Sequence, residues 1–215
     1  MNGSFEVREF VENGRSPYAE WHDALDSVTA ERVDRYMLRL EQGNFGAARF
    51  LCDGVFELRL DFGPGYRVYF GREGAPSSFC WAAAANDGRT PTLPQRWNGG
   101  SDTNKQNNKM ITTRSYHETI VARIKRDREF ARLFYAGAVE MILEGETAGA
   151  LSRLRDLVNA QISFKELARQ TGLGEKSLHR MLGRNGNPTA SNLAAILRSI
   201  AEDLHVKPRV EVAMV

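Results

Sequence analysis

Long apolar runs are missing from this chain of 215 residues. No stretch reaches the ~18 consecutive apolar residues of a membrane helix, so no membrane partner is expected. The opening MNGSFEVREF carries acids where a secretory leader needs a basic region and an apolar run. Cysteine is scarce: Cys52 and Cys80 are the whole complement, and the four scattered histidines give them no metal-ligand spacing. Free thiols in a reducing cytoplasm are the expectation, with no metal and no cofactor. A phosphate-cradling glycine loop and paired catalytic carboxylates are also lacking; the GPG at 63–65 reads as a hairpin turn.

Lysine is absent from residues 1–75, where nine arginines face thirteen acids, a net of −4. Residues 110–215 reverse this with sixteen basic and twelve acidic residues, a net of +4. The stretch 76–109 has four basic residues against two acids, a net of +2. A basic excess in the C-terminal half permits phosphate contact there without identifying it.

That half contains the most legible pattern, SFKELARQTGLGEKSLHRMLGR at 163–184. Ser163 is placed to cap a helix, with Glu166 three residues on as the second half of a capping box. Phe164, Leu167 and Ala168 share one helical face. Gly172 sits where a left-handed C-cap is wanted. A second helix from about Glu175 repeats the apolar spacing in Leu178, Met181 and Leu182. Two short helices about a glycine turn predict a helix-turn-helix. Lys176, Ser177, His179, Arg180 and Arg184 are left on the outside, as base-edge or phosphate contacts. An ordinary helical hairpin with a solvated basic face has the same periodicity.

Upstream, Met110 begins a mostly helical run: Tyr116–Asp127, Glu129–Glu144 closed by Gly145, and Thr147–Val158. Downstream, Leu193, Ile196, Leu197 and Ile200 mark the buried side of a last helix. Alternating Val206, Val210, Val212 and Met214 suggest a terminal strand that pairs across a homodimer, or a frayed tail.

The N-terminal part reads as α+β. Phe5, Val7 and Phe10 mark a first strand. Trp21, Leu25, Val28, Val33, Met37 and Leu40 recur at helical intervals within Tyr18–Gln42, with a break near Ser27–Thr29. Val55–Leu60 and Tyr66–Phe70 flank the turn DFGPGY as an antiparallel hairpin.

The segments SPYAEWHDALD, LEQGNFG and GVFELRLDFGPGYRVYFGREG, within residues 3–74, resemble the RelE/HigB superfamily of addiction-module toxins. That resemblance implies a sheet packed by N-terminal helices and metal-independent cleavage of messenger RNA. Arg59 and Arg67 fall at the family's phosphate-facing catalytic positions. A competing reading pairs them with Glu57, Asp61 and Glu73 on an exposed sheet face. After Gly74 the likeness stops. Residues 76–109 lack strand alternation, carry Pro76, Pro91 and Pro94 and end in a polar tract, so they read as a flexible linker. A frameshift or fusion of two reading frames, with Met110 as a former start, would produce this. The resemblance implies a further apolar strand and a glycine-rich turn with basic residues; without the strand, Tyr66–Phe70 would expose an unpaired edge, and without the basic turn the ribonuclease chemistry would be lost or impaired.

Residues 110–215 resemble HigA-type, Xre-like addiction-module antidotes, most specifically in Gly186, Asn187, Pro188, Thr189, Asn192 and Leu193. The resemblance implies an antitoxin that binds its cognate toxin and represses its own operon as a dimer. It puts Lys176, Ser177, His179, Arg180 and Arg184 toward DNA, with Gln170 and Thr171 near the backbone. The expected architecture is therefore a truncated α+β toxin-like domain (1–75), a linker (76–109) and a mainly α helix-turn-helix domain (110–215). The expected function is a DNA-binding antitoxin or repressor whose partners are operator DNA and a toxin, either a cognate one or its own N-terminal half. A self-inhibited ribonuclease and a protein-interaction module without DNA binding are the alternatives.

Overall fold

The computed structural model describes residues 5–46, 48–52, 54–73, 79–85 and 111–209. The protein is mixed α+β: strands with helices come first, and a mainly helical region follows. It divides into two units, Met1–Thr119 and Ile120–Val215.

In the first unit β1 (Glu6–Glu12) leads into α1 (Pro17–Ala24) and α2 (Ser27–Glu41). Ser16 caps α1, its hydroxyl accepting from the Ala19 N–H at 3.1 Å, with Pro17 in the first turn. Asp26 caps α2 by accepting from the Thr29 N–H at 2.9 Å, so the helix break falls at Leu25–Asp26. That break resets the helical phase. Val33, Met37 and Leu40 are buried, but Val28, expected on the same face, lies in the first turn of α2 and is 52% exposed. At the α1–α2 contact His22 and Asp34 are both buried, with His22 Nε2 3.1 Å from Asp34 Oδ1.

Among the described residues the sheet has six strands in the order β2-β3-β4-β5-β1-β6. They are β2 (Ala48–Cys52), β3 (Val55–Arg59), β4 (Arg67–Glu73), β5 (Phe79–Ala85) and β6 (Ile111–Ser115), with β1 above. The expected hairpin is present as β3–β4, in register from Val55↔Gly71 to Arg59↔Arg67. The Leu60 N–H donating to the Tyr66 carbonyl closes it at 3.0 Å. Leu58, Leu60, Val68 and Phe70 are buried, while the alternate positions carry Glu57, Arg59, Arg67 and Tyr69.

Three features of the sheet differ from the sequence reading. Strand β2 was not anticipated. Strand β5 lies inside the stretch read as a linker, antiparallel to β4 and parallel to β1. The expected bare edge on β4 is therefore absent. Its sequence, FCWAAAA, is a continuous apolar run and lacks the period-2 alternation by which a half-exposed strand is read. Strand β6 also crosses the expected boundary: it pairs antiparallel with β1 and belongs to the first unit.

The unit boundary falls within α3 (Tyr116–Arg126). The helices α4 (Arg128–Leu143) and α5 (Thr147–Leu157) follow, then a π-helical turn, Val158–Ile162. Next come α6 (Phe164–Thr171), α7 (Glu175–Met181) and α8 (Ala190–Asp203). Phe130, Phe134, Met141, Leu154, Leu167, Leu178, Ile196 and Ile200 form the core of the second unit. The Tyr135 hydroxyl donates to the Leu197 carbonyl at 3.1 Å and ties α4 to α8. Arg153 is wholly buried, its guanidinium 4.5 Å from the centre of the Phe134 ring. Val206–Arg209 have no regular secondary structure, and the remainder of the expected terminal strand, 210–215, lies outside the described residues. No described helix is long and apolar enough to cross a membrane.

Candidate functional sites

Helices α6 and α7 are joined as the spacing predicts. Gly172 ends α6 in the left-handed region at φ 71°, and its N–H donates to the Ala168 carbonyl. Gly174 then starts α7. Phe164 and Leu167 on α6, and Leu178, Met181 and Leu182 in and just after α7, are buried. The Ser163 hydroxyl accepts from the Glu166 N–H at 3.3 Å. The reciprocal half of the expected capping box is replaced. Glu166 Oε2 accepts from Arg169 Nε at 2.8 Å and Oε1 accepts from Gln170 Nε2 at 3.0 Å. These contacts, with Arg169 first, hold the Glu166 carboxyl below its ordinary range. The Ser163 N–H instead donates to the Val158 carbonyl at 2.9 Å, closing the π-helical turn.

The far end of α7 is fixed by the GNPT segment. A Cβ on Gly186 would lie 1.9 Å from the Met181 carbonyl oxygen, so the chain can pass there only as glycine. Thr189 caps α8, its hydroxyl accepting from the Asn192 N–H at 3.3 Å. The Asn192 amide donates to Met181 Sδ at 3.4 Å. These contacts set the angle at which α7 leaves the core, a constraint invisible in helical periodicity.

On the outer side of α7, Lys176, His179 and Arg180 are exposed and Ser177 is half-buried; Arg184 is exposed just beyond the helix. Lys176 and Arg180 have no ion-pair partner among the described residues, leaving both cations open to an anionic ligand. His179 stacks on Phe164 with centroids 3.7 Å apart and lies 4.0 Å from Glu175 Oε1. Gln170 and Thr171, expected near the DNA backbone, are also engaged within the unit. The Gln170 carbonyl oxygen accepts from the Ser199 hydroxyl and its amide bonds Glu166, while the Thr171 hydroxyl donates to the Leu167 carbonyl at 2.7 Å. Both side chains hold α6 in place.

A second constellation lies on the sheet of the first unit. Arg49, Glu57, Arg59, Asp61 and Arg67 line an open cleft of about 280 Å³. Glu57 is buried and takes both neighbours: Oε2 accepts from Arg67 Nη1 at 2.9 Å and Oε1 from Arg49 Nη2 at 3.3 Å. The bond to Glu57 raises the Arg67 guanidinium above its ordinary value, so it stays charged. Arg59 sits directly across the ladder from Arg67 and has no ion-pair partner among the described residues. Like charges directly opposite on a sheet are destabilising unless an anion lies between them. Of the two arginines, Arg67 is thus ion-paired, to the buried Glu57, and Arg59 has no such partner among the described residues.

The sequence reading named Arg59 and Arg67 but missed Arg49, since β2 was not seen, and gave Glu57 no site role. Period-2 alternation through Glu57, Arg59 and Asp61 was the available signal. Among the described residues no group of His, Cys, Asp or Glu could hold a metal ion.

No protein-family model matches the chain, and no solved structure matches it. An uncharacterized protein of Haemophilus influenzae is 42% identical over 53 residues, which are 24% of this chain and 54% of that protein. The chain thus spans about half the length of the curated relative it matches.

Proposed function

We propose that this chain is a DNA-binding antitoxin of the HigA type, a repressor of its own operon, joined to a RelE/HigB-like unit. The observation that carries the reading is α7. It is anchored through Leu178, Met181 and Leu182, fixed at its far end by Gly186, and left with Lys176 and Arg180 open on the outside. A helix so held presents a fixed set of donors to the major groove. Arg180 has the fork geometry for a guanine edge or two phosphate oxygens, and Lys176 is a point charge suited to phosphate. The test is a mobility-shift titration of the full chain against the DNA upstream of its gene at two salt concentrations. Affinity should fall with salt as condensed counterions are released.

A second reading, a ribonuclease held silent by its covalent antidote, is favoured by the arginine cleft. Arg59 and Arg67 face each other with Arg49 beside them, an arrangement suited to phosphate charge. The occupied β4 edge removes one argument against activity; the family's basic turn has no counterpart among the described residues. Cleavage of messenger RNA by the purified chain, lost in Arg59→Ala, would move the assignment to this reading. Intact RNA would leave the cleft as a vestige.

A further inference from the structure

The strand that opens the antidote-like half is part of the toxin-like sheet, and that juxtaposition has a use. Strand β6 runs antiparallel to β1 over five register pairs, from Glu12↔Ile111 to Arg8↔Ser115. Its side chains are keyed to the sheet as well. Arg114 Nε donates to Glu9 Oε2 at 2.9 Å, and Arg114 Nη2 donates to the Thr119 hydroxyl at 2.8 Å. Glu9 is completely buried, and its other oxygen has no hydrogen-bond partner among the described residues. Arg114 is therefore the group that compensates a carboxylate held away from water. Arg8 Nη2 donates to the Thr113 carbonyl, and His117 Nε2 lies 3.0 Å from Glu41 Oε1. Tyr116 and Thr119 are buried at the start of α3.

We propose that the β1 edge is a strand-accepting site and that Ile111–Thr119 is its docking segment, holding the antidote-like half to the toxin-like sheet even without a covalent link. The partner it fits is an extended segment with an arginine positioned over Glu9. Backbone pairing gives the affinity, and the buried Glu9–Arg114 contact selects the segment and its register. The proposal rests on reading residues 110–215 as an antidote that meets a toxin-like partner. Its location also defines its role. In the sheet order β6 lies at the opposite end from β2, β3 and β4, which carry the arginine cleft. Docking through this strand anchors the antidote and leaves the cleft uncovered by the strand itself.

The experiment uses the full chain with a protease site introduced between residues 98 and 104, cut after purification. The two pieces should stay together on gel filtration at micromolar concentration. In Arg114→Ala they should separate, with affinity weakened about 100-fold, because one partner of a buried pair is gone. Glu9→Gln keeps the shape without the charge and should weaken association less; it carries the test if Arg114→Ala fails to fold before cutting. Pieces that separate in the unmutated chain would overturn the proposal. So would pieces that hold together unchanged in both variants. Loss of DNA binding leaves these outcomes untouched, so failure of the antidote reading and failure of the docking site are told apart.

Discussion

The helical unit and the sheet unit keep their functional groups in opposite ways. In the helical unit the candidate cations Lys176 and Arg180 stand in solvent, and geometry is fixed by neighbours close in the chain: Ser163 to Glu166, Gly172 to Ala168, Gly186 to Met181. In the sheet unit the carboxylates Glu9 and Glu57 are buried and paired with arginines, and a partner can be distant, as Arg114 is from Glu9, 105 residues away. A site on a helix end needs rigid caps. A site on a sheet needs compensating charge, and it inherits the long-range contacts that supply it.

Breaking the first kind of order should have the largest effect. Gly186→Ala forces a Cβ into the Met181 carbonyl, and overpacking of this kind costs about 1–3 kcal/mol or more. The expected result is a lower thermal transition for the helical unit, loss of DNA binding, and an unchanged transition for the sheet unit. A shift in both transitions would show that the units do not unfold separately.

Alkaline pH sharpens the comparison in the other direction. Burial above all, then the charges of Asp34 and Glu9, holds the Tyr18 phenol well above its ordinary value. Burial alone raises Tyr135 in the helical unit. The unfolded chain gives up these protons first, near pH ~10, so folded stability is complete below that pH and falls as pH rises beyond it. Denaturant titrations at pH 8 and pH 11 should show a loss in both units, larger in the sheet unit. Tyr18→Phe should remove most of the sheet unit's share.

The smallest effect tests a single cap. Ser163 has φ 77° and ψ 149°, a region essentially reserved for glycine, which costs an ordinary residue roughly 1–3 kcal/mol. Glycine serves as an N-cap at a loss of only a few tenths of a kcal/mol. Ser163→Gly should therefore raise the melting temperature of the helical unit, while Ser163→Ala keeps the strain, loses the cap and should lower it.

The same contrast decides how much was legible in the sequence. Periodicity and punctuation located α6, α7 and α8 nearly to the residue, because helical contacts lie within four positions. They located the β3–β4 hairpin too, since its turn residues adjoin both strands. They missed β5, whose partners are β4 and the distant β1 and whose apolar run has no alternation. They gave no strand at β6, because its partner β1 lies about a hundred residues away and Arg114 reveals its role only beside Glu9. At the candidate sites, the exposure of Lys176 and Arg180 was readable from one helix. That Gln170 and Thr171 are taken up by Ser199, Glu166 and Leu167 was not, because it depends on how α8 and the turn close on α6.

The most direct test of the central claim compares two single substitutions in the full chain against the DNA upstream of its gene. Arg180 lies on the outer side of α7, and Arg128 is another exposed arginine, at the start of α4. Arg180→Ala should weaken specific binding by about 1–3 kcal/mol, while Arg128→Ala leaves it unchanged. Equal losses would mean binding by charge alone, and no binding by the unmutated chain at low or high salt would contradict the repressor assignment.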